Sequence, residues 1–299
     1  MRAFLPLVVL LAATAAAPAV PLRAGPALAA PAAILPLEPY RRGVAVRVET
    51  NGIRGLMAFD TAAGHTVVSP EFAAAAGCKP WGGLGGFTMT GRKLDMQRCD
   101  DVAFTIAGHR MRVPVAGVMQ VAELFAKDAP PVEGLLGLDA FSGQTITLDF
   151  AGGRLYIETP ASAAQRVSKA REVPVLLSRE AQGLALAVNL EVPTPHGVVR
   201  FEIDSGNGGT LLVAKPYASL FGLDPDAEGP QPASIDIAPG IVARGLAFTP
   251  DMNIDGNLGM PFLKDWIVTL DLAEGRMWLG RNPTPPPAGM GVPPTEPKQ

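Results

Sequence analysis

Histidine and cysteine are scarce in this chain, with three of the first and two of the second in 299 residues. His65, His109 and His196 stand far apart and no H-E-x-x-H occurs, so a zinc hydrolase has no ligand set to draw on. A G-x-S-x-G elbow, which a serine nucleophile would want, is missing. Nothing matches G-x-x-x-x-G-K-[ST], so the glycines at 82 to 86 do not read as a phosphate loop. Basic residues are not in excess either: Lys and Arg number 25 against 28 Asp and Glu, which argues against nucleic acid as a partner. Beyond the N-terminal region no stretch offers about 18 uninterrupted apolar residues, the length a membrane span requires.

The N-terminal region itself reads as a targeting segment. Arg2 precedes an apolar run from Phe4 to Ala17, and an A-x-A pattern follows at Ala27, Leu28 and Ala29. The expectation is a signal peptide over residues 1–29, with an uncleaved anchor as the alternative. No cysteine lies near the cleavage region, so a lipid-modified start is not supported. Loss of the leader removes two arginines and leaves a formal charge of −5. The mature chain is expected in the periplasm or outside the cell, without stable membrane insertion. In such a compartment Cys78 and Cys99 can oxidise to a disulfide.

What the chain has in plenty is glycine and proline: 33 and 30 residues, about a fifth of the whole, against an average of about an eighth. That suits tight turns between short strands and speaks against long helical bundles.

Two of the strand-like segments end in the same unusual way. In "LMAFDTAAGHTVVS" an apolar run leads into Asp60, Thr61, small residues and a second apolar run; in "RFEIDSGNGGTLLV" the same order surrounds Asp204 and Ser205. A carboxylate at the end of a buried strand is costly unless something stabilises it, so the repetition calls for a reason. A second repeat lies further on. "LGLDAFSGQTITLDFAGGRLYI" from Leu136 aligns without gaps on "LGMPFLKDWIVTLDLAEGRMWL" from Leu258, at a constant offset of 122.

Each half therefore orders as hairpin, Asp turn, strand, short helix, several strands, a Leu-Gly element and a closing hairpin. The short helices are "SPEFAAAAG" and "AKPYASLFG", with Pro70 and Pro216 early and Gly77 and Gly222 at the stop. An Asn-Gly hairpin precedes Asp60, and a hairpin with a longer turn precedes Asp204. The divisions are a first lobe at 30–159, a polar linker at 160–170, a second lobe at 171–281 and a Pro-rich flexible tail at 282–299. Asp149 and Asp271 are repeated too, but they precede Gly-Arg turns and read as turn formers.

A duplicated Asp-Thr/Ser-small turn followed in each half by an apolar-Gly element resembles the aspartic peptidases of the retropepsin and pepsin kind. The resemblance covers roughly residues 40 to 281 and rests on "DTAA" at 60 to 63, "DSGN" at 204 to 207, "LLG" at 135 to 137 and "NLG" at 257 to 259. It implies an all-β fold of two similar barrel-like lobes, whose turns meet at a pseudo-twofold axis. It also implies that Asp60 and Asp204 are a catalytic dyad sharing a water. Thr61 and Ser205 would brace the turns, with Ala62 and Gly206 beside them.

The chemistry accounts for two carboxylates. At about 4 Å and an effective dielectric near 20, two negative charges repel by roughly 4 kcal/mol, so one keeps its proton. The ionised partner takes a proton from water while the protonated one polarises the peptide carbonyl; neither cofactor nor metal is implied. The first half carries about 22 extra residues. Among them, "WGGLGGFTMTGRK" at 81 to 93 reads either as a mobile lid over a bound peptide, with Trp81, Gly85, Gly86 and Phe87 as contacts, or as a surface loop. Ala62 stands where the family usually has glycine, and its methyl would narrow the cleft, or strain the turn if the residue needs φ > 0.

The expected function is that of a monomeric aspartic endopeptidase acting on peptides or proteins. The rivals are a catalytically idle peptidase-like protein of the cell envelope that binds peptides in the same cleft, and an exported β-domain without a cleft function.

Overall fold

The computed structural model describes residues 29–292. The signal peptide expected over 1–29 falls, but for Ala29, outside them, as do residues 293–299 of the tail. The architecture is mostly β: an eight-stranded sheet in the first half, a seven-stranded sheet in the second, and a six-stranded sheet joining the two.

Period-two burial drives the strands. In Gly43–Thr50, Val44, Val46 and Val48 face the core, while Arg47 and Glu49 face outward and pair with Glu38 and Arg54. In Ala187–Thr194, Val188, Leu190 and Val192 do the same. Asn51 and Gly52 both take positive φ and close the first hairpin. The hairpin before Asp204 is also tight: Thr194 pairs with Gly197, so Pro195 and His196 alone make the loop, shorter than the sequence suggests.

Both lobes share one crossing pattern, and it is this pattern that positions the aspartates. Strand Ile53–Phe59 runs parallel to Gly134–Leu136, which is antiparallel to Val67–Val68. Likewise Gly197–Ile203 runs parallel to Gly256–Leu258, which is antiparallel to Leu211–Val213. The Asp60 amide donates to the Leu136 carbonyl at 3.0 Å, and the Asp204 amide to that of Leu258 at 3.0 Å. The Leu-Gly elements thus lie under the turns. Leu136 and Leu258 are fully buried, and Phe59 packs edge-on against Phe141 with centroids 6.2 Å apart. Each buried phenylalanine contributes about 1.5–3 kcal/mol.

The joining sheet runs in the order Ala33–Pro36, Arg154–Ile157, Thr145–Asp149, Trp266–Asp271, Arg276–Arg281, Arg171–Val173. At its centre Thr147 pairs with Thr269, its own counterpart in the repeat, with the hydroxyls 2.9 Å apart. The pseudo-twofold axis therefore passes between these threonines. Asp149 and Asp271 cap their turns, accepting from Gly152 and from Ala273 and Glu274.

Two stretches depart from the expected organisation. The segment 160–170 holds a helix, Pro160–Val167, closed by a reciprocal cap between Thr159 and Ser162 and anchored by Arg166 on Glu158 and over the Tyr156 ring. The tail, expected to be flexible, packs as far as it is described. Met290 is 4% exposed within the main core, and the Gly291 amide donates to the Arg42 carbonyl at 3.0 Å. Proline removes sheet donors from this stretch but does not prevent one buried methionine from anchoring it. Among the described residues no helix is long and apolar enough to cross a membrane.

Cys78, just past helix Pro70–Ala75, is bonded to Cys99 on strand Lys93–Ile106, with Cα atoms 6.0 Å apart. The closed loop is worth about 3 kcal/mol by chain entropy. Reduction is therefore expected to lower Tm by about 6–12 °C, measured by thermal unfolding with and without reductant; an unchanged Tm would show that the bond does not stabilise the fold.

Candidate active site

Each aspartate sits at the first residue after a buried strand, where its turn can cap on the carboxylate. Ala62 N–H donates to Asp60 Oδ1 at 2.9 Å, and Asn207 N–H donates to Asp204 Oδ1 at 2.9 Å. The two turns then hold each other. Thr61 Oγ1 donates to the Ile203 carbonyl at 2.7 Å and accepts the Ser205 amide at 3.0 Å; Ser205 Oγ donates to the Phe59 carbonyl at 2.9 Å and accepts the Thr61 amide at 3.1 Å. Both side chains are buried, so the four bonds form in a low-dielectric setting where leaving any one unmade costs about 1–3 kcal/mol.

This clasp brings the two carboxyl groups close enough for each to act on the protonation of the other. Burial raises the Asp60 carboxyl well above the usual carboxylate range, and the negative charge of Asp204 raises it further. Burial raises Asp204 too, but donors oppose it: the Asn257 side chain foremost, then the Asn207 amide. Asn257 Nδ2 donates to Asp204 Oδ2 at 2.7 Å, and Asn257 is fully buried, with its own Oδ1 accepting from Asn207 Nδ2 at 2.8 Å. Its counterpart at the 122 offset is Leu135, which has no such donor to offer Asp60. The pair is therefore unequal, with the proton favoured on Asp60 and the charge on Asp204.

Gly206 explains itself by contact, since a Cβ there would lie 2.6 Å from Asp60 Oδ2. Gly259 does too, because a Cβ would meet the Asn207 carbonyl at 2.3 Å where the turn crosses the Leu-Gly element. Ala62, at the first-lobe position matching Gly206, is absent from the positive-φ residues, so its methyl carries no left-handed strain. The strain expected there does not arise.

Asp60 and Asp204 line a cleft of about 1010 Å³ to which both lobes contribute residues. The segment 81 to 93 is a hairpin: Trp81–Phe87 pairs with the strand beginning at Lys93. Gly85, Gly86 and Phe87 line the cleft, and the Met89 carbonyl at the tip accepts the Asn253 amide of the second lobe at 3.0 Å. Trp81, expected among the contacts, is not. It stands at the hairpin base, outside the cleft lining, where Arg98 lies 4.8 Å from its ring centroid and its N–H donates to Asp100. Strand pairing carries the glycine-rich end toward the cleft and leaves the tryptophan on the flank.

Asn257 escaped the sequence reading, although the repeat held the signal: a polar residue fills a slot that its copy gives to leucine. Asp139 was missed as well. It accepts from the Thr66 amide and hydroxyl at 2.8 and 2.7 Å and braces the first turn from below, while burial lifts its carboxyl to about 6.

The comparisons with known proteins agree with the fold. Residues 46–140 match the family model described as aspartyl protease. No curated protein matches the chain with significance. The basic 7S globulin from soybean is similar in structure at TM-score 0.56 and 12% identity, over 83% of this chain and 94% of that one. Conglutin gamma, a basic 7S globulin from lupine seeds, has TM-score 0.53 and 12% identity over the same shares. An aspartic proteinase from Irpex lacteus has TM-score 0.54 and 11% identity over 84% of this chain and 98% of that one. Residues 46–140 thus match an aspartyl protease model, and the chain as a whole has a fold similar to the two-lobed aspartic proteases.

The inequality of the carboxyls makes a prediction. Asn257 donates to the ionised form of Asp204 and so lowers its pKa; removing the donor raises it. Asn257→Leu is expected to shift the acid limb of the kcat/KM profile upward and to lower activity on the acid side of that limb. A pH profile of wild type and variant checks this, and coincident acid limbs would refute the role.

Proposed function

We propose that the protein is an aspartic endopeptidase, exported and active as a single chain, in which Asp60 and Asp204 hydrolyse peptide bonds without cofactor or metal. The observation that carries this reading is the reciprocal clasp of Thr61 and Ser205, which holds two buried carboxyls side by side at the floor of a cleft. Holding like charges together costs energy, and a merely structural turn would gain nothing from it.

The roles follow from the unequal surroundings. Asp204, whose two oxygens receive the Asn207 and Asn257 donors, is the ionised base that takes a proton from the attacking water. Asp60, protonated, gives its proton to the peptide carbonyl oxygen as the tetrahedral centre forms; Asp204, now carrying the proton taken from water, passes it to the leaving amine as the C–N bond breaks, and Asp60 recovers its proton from the hydroxyl of the collapsing centre. The glycine-rich hairpin closes the cleft over the substrate, excluding bulk water and strengthening both interactions. One chain supplies both carboxyls, so no second copy is required. The Cys78–Cys99 bond supports a periplasmic or secreted setting.

A second reading, an idle cleft that binds peptides, draws on the two seed globulins, which share the fold as closely as the proteinase does. Purified mature protein incubated with a mixed peptide library from about pH 3 to 7, with mass-spectrometric detection of products, separates the two. New termini are expected on the acid side, and a folded protein that yields none would support the idle cleft.

A further inference from the structure

One half-buried acid in the cleft has no part in the chemistry above. Glu202 lies two residues before Asp204 on strand Gly197–Ile203, so its side chain leaves the strand on the same face as that carboxylate. It lines the cleft, and while its backbone pairs with the neighbouring strands, its carboxyl makes no side-chain hydrogen bond among the described residues. Burial, then the charges of Asp204, Asp60 and Glu180, push its carboxyl up to about 8. Glu180, on the loop that crosses to the first lobe through the Leu186 amide and Gly64 carbonyl, also lines the cleft and acts on His65 as well as on Glu202. His65 is the second unpartnered group. It is 7% exposed, lines the same cleft and finds no partner for either ring nitrogen. Burial and Arg98 hold it below the ordinary histidine range, so its neutral ring keeps a free acceptor. The cations of the cleft, Arg41 and Arg42, sit at the turn facing Ser205 and Gly208 and are not among the charges acting on Glu202.

Resting on the peptidase reading, we propose that Glu202, with Glu180 and His65, forms a subsite for a lysine or arginine side chain of the substrate, on one side only of the scissile bond. A cationic head is the group that satisfies an unpaired carboxyl, a second acid and a free imidazole acceptor at once. The restriction to one side follows from the pseudo-twofold axis. Glu202 pairs with Asn257 as Ala58 pairs with Leu135, so on the opposite side the equivalent position is a methyl.

The test uses two pairs of uncleavable hydroxyethylene peptide analogues, with lysine or norleucine placed on one side or the other of the isostere, and measures Kd at about pH 8.5, where Glu202 can ionise and lysine is still charged, for the full mature chain. Lysine is expected to bind at least tenfold tighter than norleucine on one side, with no preference on the other. In Glu202→Gln that ratio is expected to fall to about one, and in Glu180→Gln to an intermediate value. Equal binding of lysine and norleucine, a preference on both sides, or a ratio that survives Glu202→Gln would overturn the subsite. Lysine-selective binding by a protein that cleaves no amide-bonded peptide would overturn the peptidase reading and leave the subsite standing. Cleavage without lysine preference would do the reverse, and failure to bind any of the four analogues would overturn both.

Discussion

Asp60→Asn and Asp204→Asn are each expected to lower kcat/KM by on the order of 10³-fold or more while Tm stays within a few degrees of wild type. The amide keeps the size of the carboxyl and can still accept the turn's N–H, so the clasp of Thr61 and Ser205 survives. What is lost differs between the two. Asparagine at 204 cannot take a proton from water, and asparagine at 60 cannot give one to the carbonyl. Because both transfers belong to one step, the double variant is expected to be no worse than either single variant. Either substitution also removes an uncomfortable neighbour for the remaining acid, which offsets the cost of about 1–3 kcal/mol that Asp204→Asn incurs by setting its NH2 against the buried Asn257 donor. Activity within tenfold of wild type in either single variant would remove the dyad from the mechanism.

Gly206→Ala is the second large effect. A methyl at 206 would lie 2.6 Å from Asp60 Oδ2 and 2.8 Å from its Cγ, closer than real contacts allow. Something must move, and what lies there is the proposed acid on a turn fixed by four buried hydrogen bonds. A displacement approaching 1 Å at a reacting group costs about 10²-fold, and this loss is expected in kcat with little change in KM. Ala62→Gly is the informative control. Its methyl occupies the matching first-lobe position without left-handed strain, so its removal is expected to change kcat/KM less than about threefold. Steady-state assays of the two variants side by side decide the matter: equal, small effects from both would show that the space beside Asp60 is not critical.

Much of the fold was legible because the chain states it twice. The repeated strand endings at Asp60 and Asp204 and the 122 offset between the Leu-Gly elements are enough to suggest two lobes and an axis between them, and the sheets follow that plan. The groups the repeat singles out are brought together in space. The remainder was hidden for separable reasons. Asn257 matters through where its amide points, and a one-residue difference between copies does not reveal direction. Glu202 alternates in a strand like any surface acid, and only the lobe opposite turns that face into a cleft wall. The helix at Pro160–Val167 carried a legible Thr159–Ser162 cap, outweighed by its small polar composition. Met290 is one apolar residue in a proline-rich stretch, and its burial depends on packing against residues distant in sequence that no local pattern describes.

The threonine pair at the centre of the joining sheet has a consequence for what the molecule could become. Thr147 meets Thr269 as a residue meets itself across the axis of a symmetric dimer. In an assembly of two identical chains every change is made twice, once in each half of the site. Covalent linkage lifts that restriction, because each copy can then vary alone. Leu135 against Asn257, Ala58 against Glu202 and Ala62 against Gly206 are three such divergences within reach of the same two carboxyls. A dimer of identical subunits must break its symmetry by where a single proton resides at a given instant, whereas this chain has written the difference between its two acids into the genome.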